Sequence, residues 1–495
     1  MKEYVLSIDQ GTTGTTVGLI AHDGTLKHKV SKEFRQIFPQ PGWVEHDPEG
    51  IWKSVLSCIR KLFKDSGLSP KQVVSIGITN QRETSLIWDR KTFKPVYNAI
   101  VWQCRRTTAF TESLKSKGLE EEIRSKTGLV VDPYFSASKF RWIIEEVSGV
   151  RNRAEQGKLI AGTIDSYLVA RLSNGARHVT DVSNASRTQL FNIHTCEWDS
   201  DLLDLFSIPR NILPEVVPSS AEVAKTRQVP GLPDGLPISG IAGDQQAALF
   251  GQACLKKGQA KCTYGTGSFL VLNTGNKPLT SKSGLLTTIA WQLGNKVPVY
   301  ALEGGAFICG ATIQWLRDEL KLIKKSADIE KLASKVEDSG GVEFIPAFAG
   351  LGAPYWAPNA RGLISGLTRG TSAAHIARAA LEAMAMQNVD ILRAMENDLA
   401  GKLREVRVDG GASQNNLLMQ MQADFLGQKI KRPAMVETTM AGAAYLSGLG
   451  VGFWSNLKEI ENITKVGAEF SPLISKKKRD DRQNSWAKAI SRSLM

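Results

Sequence analysis

The sequence predicts an α/β protein made of two units related by duplication, and three observations carry that expectation. The chain has 495 residues, whereas a single hydrophobic core stops growing at about 250–300 residues. A Gly/Thr turn between two apolar strands opens the chain, in SIDQGTTGTTVGLI from Ser7 to Ile20, and a similar one, AKCTYGTGSFLVLN from Ala260 to Asn273, opens its second half. After each hairpin, strand-like runs alternate with stretches of helical period. Two hairpins of one kind, each at the head of a half, suggest a repeated unit. The boundary falls near residue 250, giving units 1–250 and 251–495.

Each element has its own signal. Tyr4–Ile8 and Val17–Ile20 are apolar and rich in branched residues, as buried strands are. Pro48–Lys64 places Ile51, Val55, Ile59 and Leu62 on one helical stripe. Val73–Thr79 reads as a third strand and runs into Asn80, Gln81, Arg82 and Glu83. Ser136–Glu146 has helical period. In PISGIAGDQQAALFGQ, from Pro237 to Gln252, a short strand meets a helix of small residues at Asp244. Ligands of open α/β sheets bind at such strand ends. The second half continues with helices at Ala311–Leu320 and Ala373–Leu399. A strand at Glu405–Val408 then leads into Asp409, Gly410 and Gly411, and a helix follows from about Asn416. The run Lys476–Arg479 reads as a solvated tail before a last helix.

Composition narrows the function classes. The net charge is +13, but the basic residues are scattered, which disfavours nucleic acid and suits a protein that handles phosphate anions. The six cysteines lie far apart with no CxxC, so neither a zinc site nor a disulfide framework is expected. The start, MKEYVLSIDQ, has no signal-peptide apolar core, and no uninterrupted apolar run reaches the ~18 residues of a membrane span. A cytoplasmic protein, not an integral membrane one, is the expectation. GxxxxGK[ST] is absent, as is GxGxxG before a helix, which excludes a P-loop and a dinucleotide fingerprint.

The turns can hold phosphate. Glycine lets backbone N–H groups approach an anion without an intervening Cβ. Gly11, Thr12, Thr13 and Gly14 could wrap the phosphates of a nucleotide, with Gly265, Thr266 and Gly267 doing the same from the other unit. An ordinary hairpin turn is the alternative for each. Asp9, just before the first turn, could orient water around Mg²⁺. Asp244 suits two roles equally, a helix N-cap or a general base for a hydroxyl attacking phosphorus. Gly410 and Gly411 could let a flat group such as adenine lie on the backbone, or simply make a strand-to-helix turn. Arg82, Glu83, Trp102 and Tyr134 offer a charged fork, a hydroxyl and an apolar ring, which suits a small polyol. A surface ion pair with two core aromatics is the alternative.

On these residues the chain resembles the FGGY carbohydrate kinases. The matching stretches include DQGTT (Asp9–Thr13), GITNQRET (Gly77–Thr84), YNAIVWQCRR (Tyr97–Arg106), TGLVVDPYFS (Thr127–Ser136), SGIAGDQQAALFGQ (Ser239–Gln252), TYGTGSF (Thr263–Phe269) and RVDGGASQNN (Arg407–Asn416). The resemblance runs to about residue 455. It implies two duplicated actin-like, ribonuclease H-like α/β domains with a cleft between them, 1–250 bearing the phosphate clamp and polyol site and 251–495 the nucleotide site. NQRE, VWQCRR and DPYF form the polyol site in members that phosphorylate glycerol. The implied reaction is glycerol plus ATP giving sn-glycerol 3-phosphate and ADP, with Mg²⁺. The resemblance makes Asp244 the base. It places Arg82, Glu83, Tyr134, Asp244 and Gln245 on the hydroxyls, and Trp102 and Phe269 against the carbons. It puts Thr12, Thr13 and Gly14 on the phosphates, and Thr266, Gly310, Gln314, Gly411 and Asn415 on the nucleotide, with Mg²⁺ near Asp9 and Asp244. The expected partners are glycerol and ATP with no nucleic acid, and a homo-oligomer, dimer or tetramer, is expected. The chain departs from the family at Thr16, where many members carry Arg, and at Val229–Pro237, which lacks the Gly-Arg loop that binds fructose 1,6-bisphosphate in some bacterial members.

Overall fold

A computed structural model describes residues 3–495 of the chain. Two large mixed sheets organise it. The first sheet contains β1 (Tyr4–Gln10), β2 (Gly14–Ala21), β3 (Leu26–Glu33), β4 (Val73–Asn80), β5 (Ser220–Lys225) and β6 (Pro237–Gly243), in the order β5-β6-β4-β1-β2-β3. The second contains β7 (Gln259–Tyr264), β8 (Ser268–Gly275), β9 (Leu286–Trp291), β10 (Val299–Ala306), β11 (Glu405–Asp409), β12 (Ile430–Pro433) and β13 (Val466–Phe470), in the order β9-β10-β8-β7-β11-β12-β13.

The duplication is written in this order. In each sheet a hairpin pair, β1-β2 or β7-β8, is antiparallel, and the hairpin's first strand runs parallel to a later one, β4 or β11. A further parallel strand, β6 or β12, follows. Parallel pairing needs a crossover, usually helical, and the helices sit in those connections.

Six helices position the site: α1 (Pro48–Ser66), α2 (Asp244–Gly251), α3 (Gly310–Asp318), α4 (Ala373–Leu399), α5 (Asn416–Leu426) and α6 (Thr438–Gly450). α1 buries Ile51, Val55, Ile59 and Leu62 against the first sheet, the stripe its period predicts. Asp47 caps it and Gly67, in the left-handed region, ends it. On the second sheet, Ala260, Cys262, Leu270 and Leu272 join residues of α4 and α5 in one core.

α6 belongs to the second half by sequence but lies on the first sheet. Ser7 Oγ donates to Met440 O at 2.8 Å, Ser220 Oγ to Leu446 O at 2.7 Å and Ser239 Oγ to Ser447 O at 3.1 Å. α6 also meets α2 backbone to backbone at two glycines. A Cβ on Gly442 would stand 1.8 Å from Ala247 O, and one on Gly251 1.9 Å from Thr438 O. Only glycine permits such a backbone approach.

The C-terminal lysine run differs from its sequence expectation. Lys476 begins the last helix, Lys476–Ser493, so the run forms that helix's first turn and is not a tail before it. Ser475 caps the helix, and Arg482 pairs with Glu343 and Glu382 while Trp486 is buried. Among the described residues no helix is long and apolar enough to cross a membrane.

Candidate active site

The ends of β1, β4 and β6 meet one face of the second sheet, and the registers state what each contributes. Lys261, Val271 and Glu303 stand in one row across β7, β8 and β10. Thr263, Phe269 and Gly305 stand in the next, with Asp409 beside Thr263. Cross-strand partners share a face, so Lys261, Phe269, Glu303 and Asp409 all look towards the first unit.

Arg82 is the centre of the junction. It follows β4 and is buried, 2 % exposed. Its Nη1 and Nη2 donate to the two carboxylate oxygens of Glu303 at 2.5 and 2.9 Å. This paired geometry is the strongest arrangement of a guanidinium with a carboxylate. Arg82 Nε lies 3.3 Å from Asp244 Oδ1. Arg187 closes the network, with Nε donating to Glu83 Oε1 at 2.7 Å and Nη2 to Glu303 Oε1 at 3.2 Å. The surface ion pair considered for Arg82 and Glu83 is thereby excluded, since both side chains are buried.

Glu83 adopts φ = 61°, a left-handed conformation that costs a residue with a Cβ about 1–3 kcal/mol. Two hydroxyls hold it there, as Ser85 Oγ and Ser136 Oγ donate to its carbonyl at 2.8 and 3.0 Å. Burial raises the Glu83 pKa, and Arg82 and Arg187 oppose the rise. For Glu303 the guanidiniums win: burial pushes it up, but Arg187 and Arg82 hold it at about 2.

Asp244 is the first residue of α2, and Gly243 occupies the cap position. Its Oδ1 accepts from Gln245 N at 2.7 Å, and its side chain is about one-third open, at 30 %. The N-cap role weighed for Asp244 therefore falls to Gly243. Burial raises the Asp244 pKa against the pull of Arg82 and Lys261. Asp9, at the end of β1, is pushed up to about 7 by burial and by the charges of Asp244 and Glu437. A carboxylate raised by a neighbouring carboxylate in this way is a ready partner for a divalent cation.

The aromatic wall touches the ionic floor at Arg187, whose guanidinium lies 5.7 Å from the Tyr134 ring centroid. Trp102 and Tyr134 meet edge to face with centroids 5.5 Å apart, and both are half-buried. Trp102 Nε1 donates to Thr12 Oγ1 at 3.0 Å, tying the wall to the first turn. Lys139 Nζ donates to the carbonyls of Pro133, Tyr134 and Phe135 at 2.5–2.7 Å and so fixes the loop that presents Tyr134. Burial also raises the Tyr134 phenol well above its ordinary value, so the hydroxyl keeps its proton at neutral pH. Phe269 lies opposite Gly305, one row from Lys261 and Glu303.

The two turns are alike in shape and different in use. Gly11 N donates to Gly14 O at 2.9 Å, and Gly265 N to Gly267 O at 2.9 Å. In the first turn the carbonyls of Thr12 and Thr13 bind Gln36 Nε2 and Phe34 N, while the Thr12 and Thr13 N–H groups find no acceptor among the described residues. In the second, Gly265 O and Thr266 O accept from Cys309, Gly310 and Ala311 at 2.8–3.1 Å. The second turn is thus bound to the start of α3, and the Gly310 N–H is already used. Gln314 is exposed on α3. Gly411 is exposed at the end of β11, and Asn415 caps α5 by accepting from Leu418 N at 2.8 Å. Thr16 lies opposite Asp9 and bonds Ser31 Oγ at 2.9 Å.

Three residues here were not singled out from sequence: Arg187, Lys261 and Glu303. Lys261 had a readable signal, being a lysine in the middle of a strand whose alternate residues Ala260, Cys262 and Tyr264 are core. Its Nζ donates to Gln245 Oε1 and, at 2.9 Å, to Thr263 Oγ1. Burial lowers the Lys261 pKa, opposed by Asp409, Asp244 and Glu303.

Comparison with known proteins places this geometry. Residues 4–251 match the N-terminal domain of the FGGY family of carbohydrate kinases, and residues 260–450 its C-terminal domain. The glycerol kinase of Bdellovibrio bacteriovorus is 55% identical over 492 residues, 99% of each chain. Glycerol kinase 2 of Thermotoga maritima is 54% identical over 493 residues, again 99% of each. The crystal structure of Plasmodium falciparum glycerol kinase with ADP superposes with a TM-score of 0.94 at 37% identity, covering 99% of this chain and 98% of that one.

Proposed function

We propose, from the premise that this chain belongs to the FGGY family of carbohydrate kinases, that it transfers the γ-phosphoryl group of ATP to glycerol, giving sn-glycerol 3-phosphate and ADP. The observation that carries this reading is the buried Arg82–Glu83 fork beside Asp244, faced by the Trp102–Tyr134 pair. A small polyol needs that combination, with hydroxyls bonded on one side and carbons resting on rings on the other.

Asp244 accepts the proton of the attacking hydroxyl as its oxygen approaches phosphorus. The Arg82 guanidinium, 3.3 Å away, favours the ionised carboxylate that this role requires. Arg82, Glu83, Tyr134 and Gln245 hold the hydroxyls, and Trp102 and Phe269 cover the carbons. Thr12, Thr13 and Gly14 take the phosphates, for which the free Thr12 and Thr13 N–H groups suit them. Thr266, Gly310, Gln314, Gly411 and Asn415 hold the nucleotide on the second unit. Gly310 does so through its place at the start of α3, where its N–H is engaged with Gly265 O and a Cβ would stand 2.6 Å from that oxygen. The division is residues 1–250 for polyol and phosphate and 251–495 for nucleotide.

The reaction uses Mg²⁺, and the donor set fits it. Asp9 and Asp244 are hard oxygen ligands, the charge of Asp244 raising Asp9, and no group of three or more such side chains is present among the described residues. Mg²⁺ is held in that way by one or two carboxylates together with phosphate oxygens and water. When bound, it neutralises charge on the phosphates. The enzyme works in the cytoplasm, as a dimer or tetramer.

The test is ADP release with ATP and Mg²⁺, with and without glycerol, beside D-xylulose and gluconate. Stimulation by glycerol alone is expected. Turnover indifferent to glycerol would remove Arg82, Glu83, Trp102 and Tyr134 from their assigned roles.

A further inference from the structure

We propose that Lys261 is a positioning residue for the polyol: its ammonium holds the Gln245 amide with the carbonyl oxygen turned inwards and the NH₂ group turned to the substrate. The inference rests on the proposed function, since it needs a polyol beside Gln245.

Lys261 lies mid-strand in β7 and is fully buried. Its side chain shares the cleft face with Glu303 across β8 and β10, and its Nζ reaches across to the first turn of α2, where it donates to Gln245 Oε1. Thr263, two residues on and on the same face, accepts a second bond at 2.9 Å. The lysine is therefore held from both sides.

An ammonium has three donors and no acceptor. It can meet only the oxygen of an amide. A glutamine without such a partner presents either end, and its orientation follows from its neighbours. With Oε1 committed to Lys261, Gln245 has only donors left to offer, and among the described residues Nε2 donates to nothing. The two residues that begin α2 then present opposite polarity. Asp244 accepts and Gln245 donates. A hydroxyl that gives its proton to Asp244 and a neighbouring hydroxyl whose oxygen receives the Gln245 NH₂ match that pair, so the start of α2 reads a vicinal diol rather than a lone alcohol. The anchor for this reading comes from the opposite unit.

The experiment compares native enzyme, Lys261→Met, Gln245→Ala and the double variant, measuring KM for glycerol and kcat separately. Methionine keeps the length and removes the donor. The substrate then loses an oriented bond from a neutral amide, worth about 2- to 10-fold, and that rise is expected in KM, with a smaller change in kcat. The double variant should be no worse than Gln245→Ala, because Lys261 acts through that amide. An unchanged KM in Lys261→Met, or losses that multiply in the double variant, would overturn the proposal. Gln245→Glu covers the case in which Lys261→Met does not fold. It keeps an acceptor for Lys261 and removes the donor, so its KM should rise by about 2- to 10-fold. A native KM there would also overturn the proposal. Absence of glycerol-dependent ADP release from the native enzyme would instead strike the proposed function itself, and this inference with it.

Discussion

Replacing Glu303 by Gln tests whether the junction between the units is electrostatic. Glu303 is 3 % exposed and takes two hydrogen bonds from Arg82 and one from Arg187. The substitution preserves shape, removes the charge and leaves two buried guanidiniums to share Glu83 and Asp244. Breaking a buried pair from one side costs about 3–5 kcal/mol. The depressed pKa of Glu303 points to the same scale. Glu303 sits at about 2 in place of 4.5, and at ~1.36 kcal/mol per pH unit this corresponds to about 3 kcal/mol. The sign follows from the depressed pKa. The stabilisation is complete above the unfolded value of 4.5 and is lost as pH falls through the folded value of about 2. Urea unfolding at pH 7 should place Glu303→Gln about 3–5 kcal/mol below the native protein, with the gap narrowing between pH 5 and pH 3. Equal stability at pH 7, or a gap unchanged at pH 3, would refute the reasoning.

Other perturbations separate chemistry from packing. Asp244→Asn should keep ADP affinity while lowering kcat by roughly 10²–10⁴, the range for a lost general base; isothermal titration and steady-state rates measure the two halves, and an unchanged kcat would reassign the base. Asp9 at about 7 and a raised Asp244 mean that both carboxylates gain protons as pH falls. kcat/KM for glycerol should therefore drop from pH 8 to pH 6 as Asp9 gains its proton, and a flat profile there would count against it. Gly442→Ala puts a Cβ 1.8 Å from Ala247 O. A destabilisation of about 1–3 kcal/mol is expected for such overpacking, read as a lower thermal midpoint, and an unchanged midpoint would mean that α2 and α6 separate freely.

The fold was legible where period and turn chemistry agree. Ser136–Glu146 and Ala373–Leu399 are helices with the bounds their patterns predict. The two Gly/Thr turns announced the repeat, and the shared strand order bears it out. The site was legible only in part. Strand ends drew attention to Asp9, Arg82, Glu83 and Asp244, whereas Glu303 and Arg187 reach the junction from elsewhere in the chain, in stretches with no local oddity. Arg187 lies 104 residues from the Glu83 it binds. Spacing along a chain does not report pairing across it. Nor could sequence show that the second Gly/Thr turn spends its carbonyls on the start of α3, because the same residues serve either use.

The placement of α6 has a consequence for how the protein comes into being. Ser7 Oγ finds its acceptor at Met440, 433 residues away, and the surfaces around Gly77 and Gly240 are shaped to receive the backbone of Ala443 and Ser447. During synthesis the first strand waits for nearly the whole chain to leave the ribosome before its sheet is covered on that side. Loop closure over such separations is slow, and exposed sheet faces invite association. The first half thus keeps one sheet face bare until its last structural neighbour is made, and a ribosome that stalls after the β7–β8 hairpin would leave behind an uncovered sheet rather than half an enzyme.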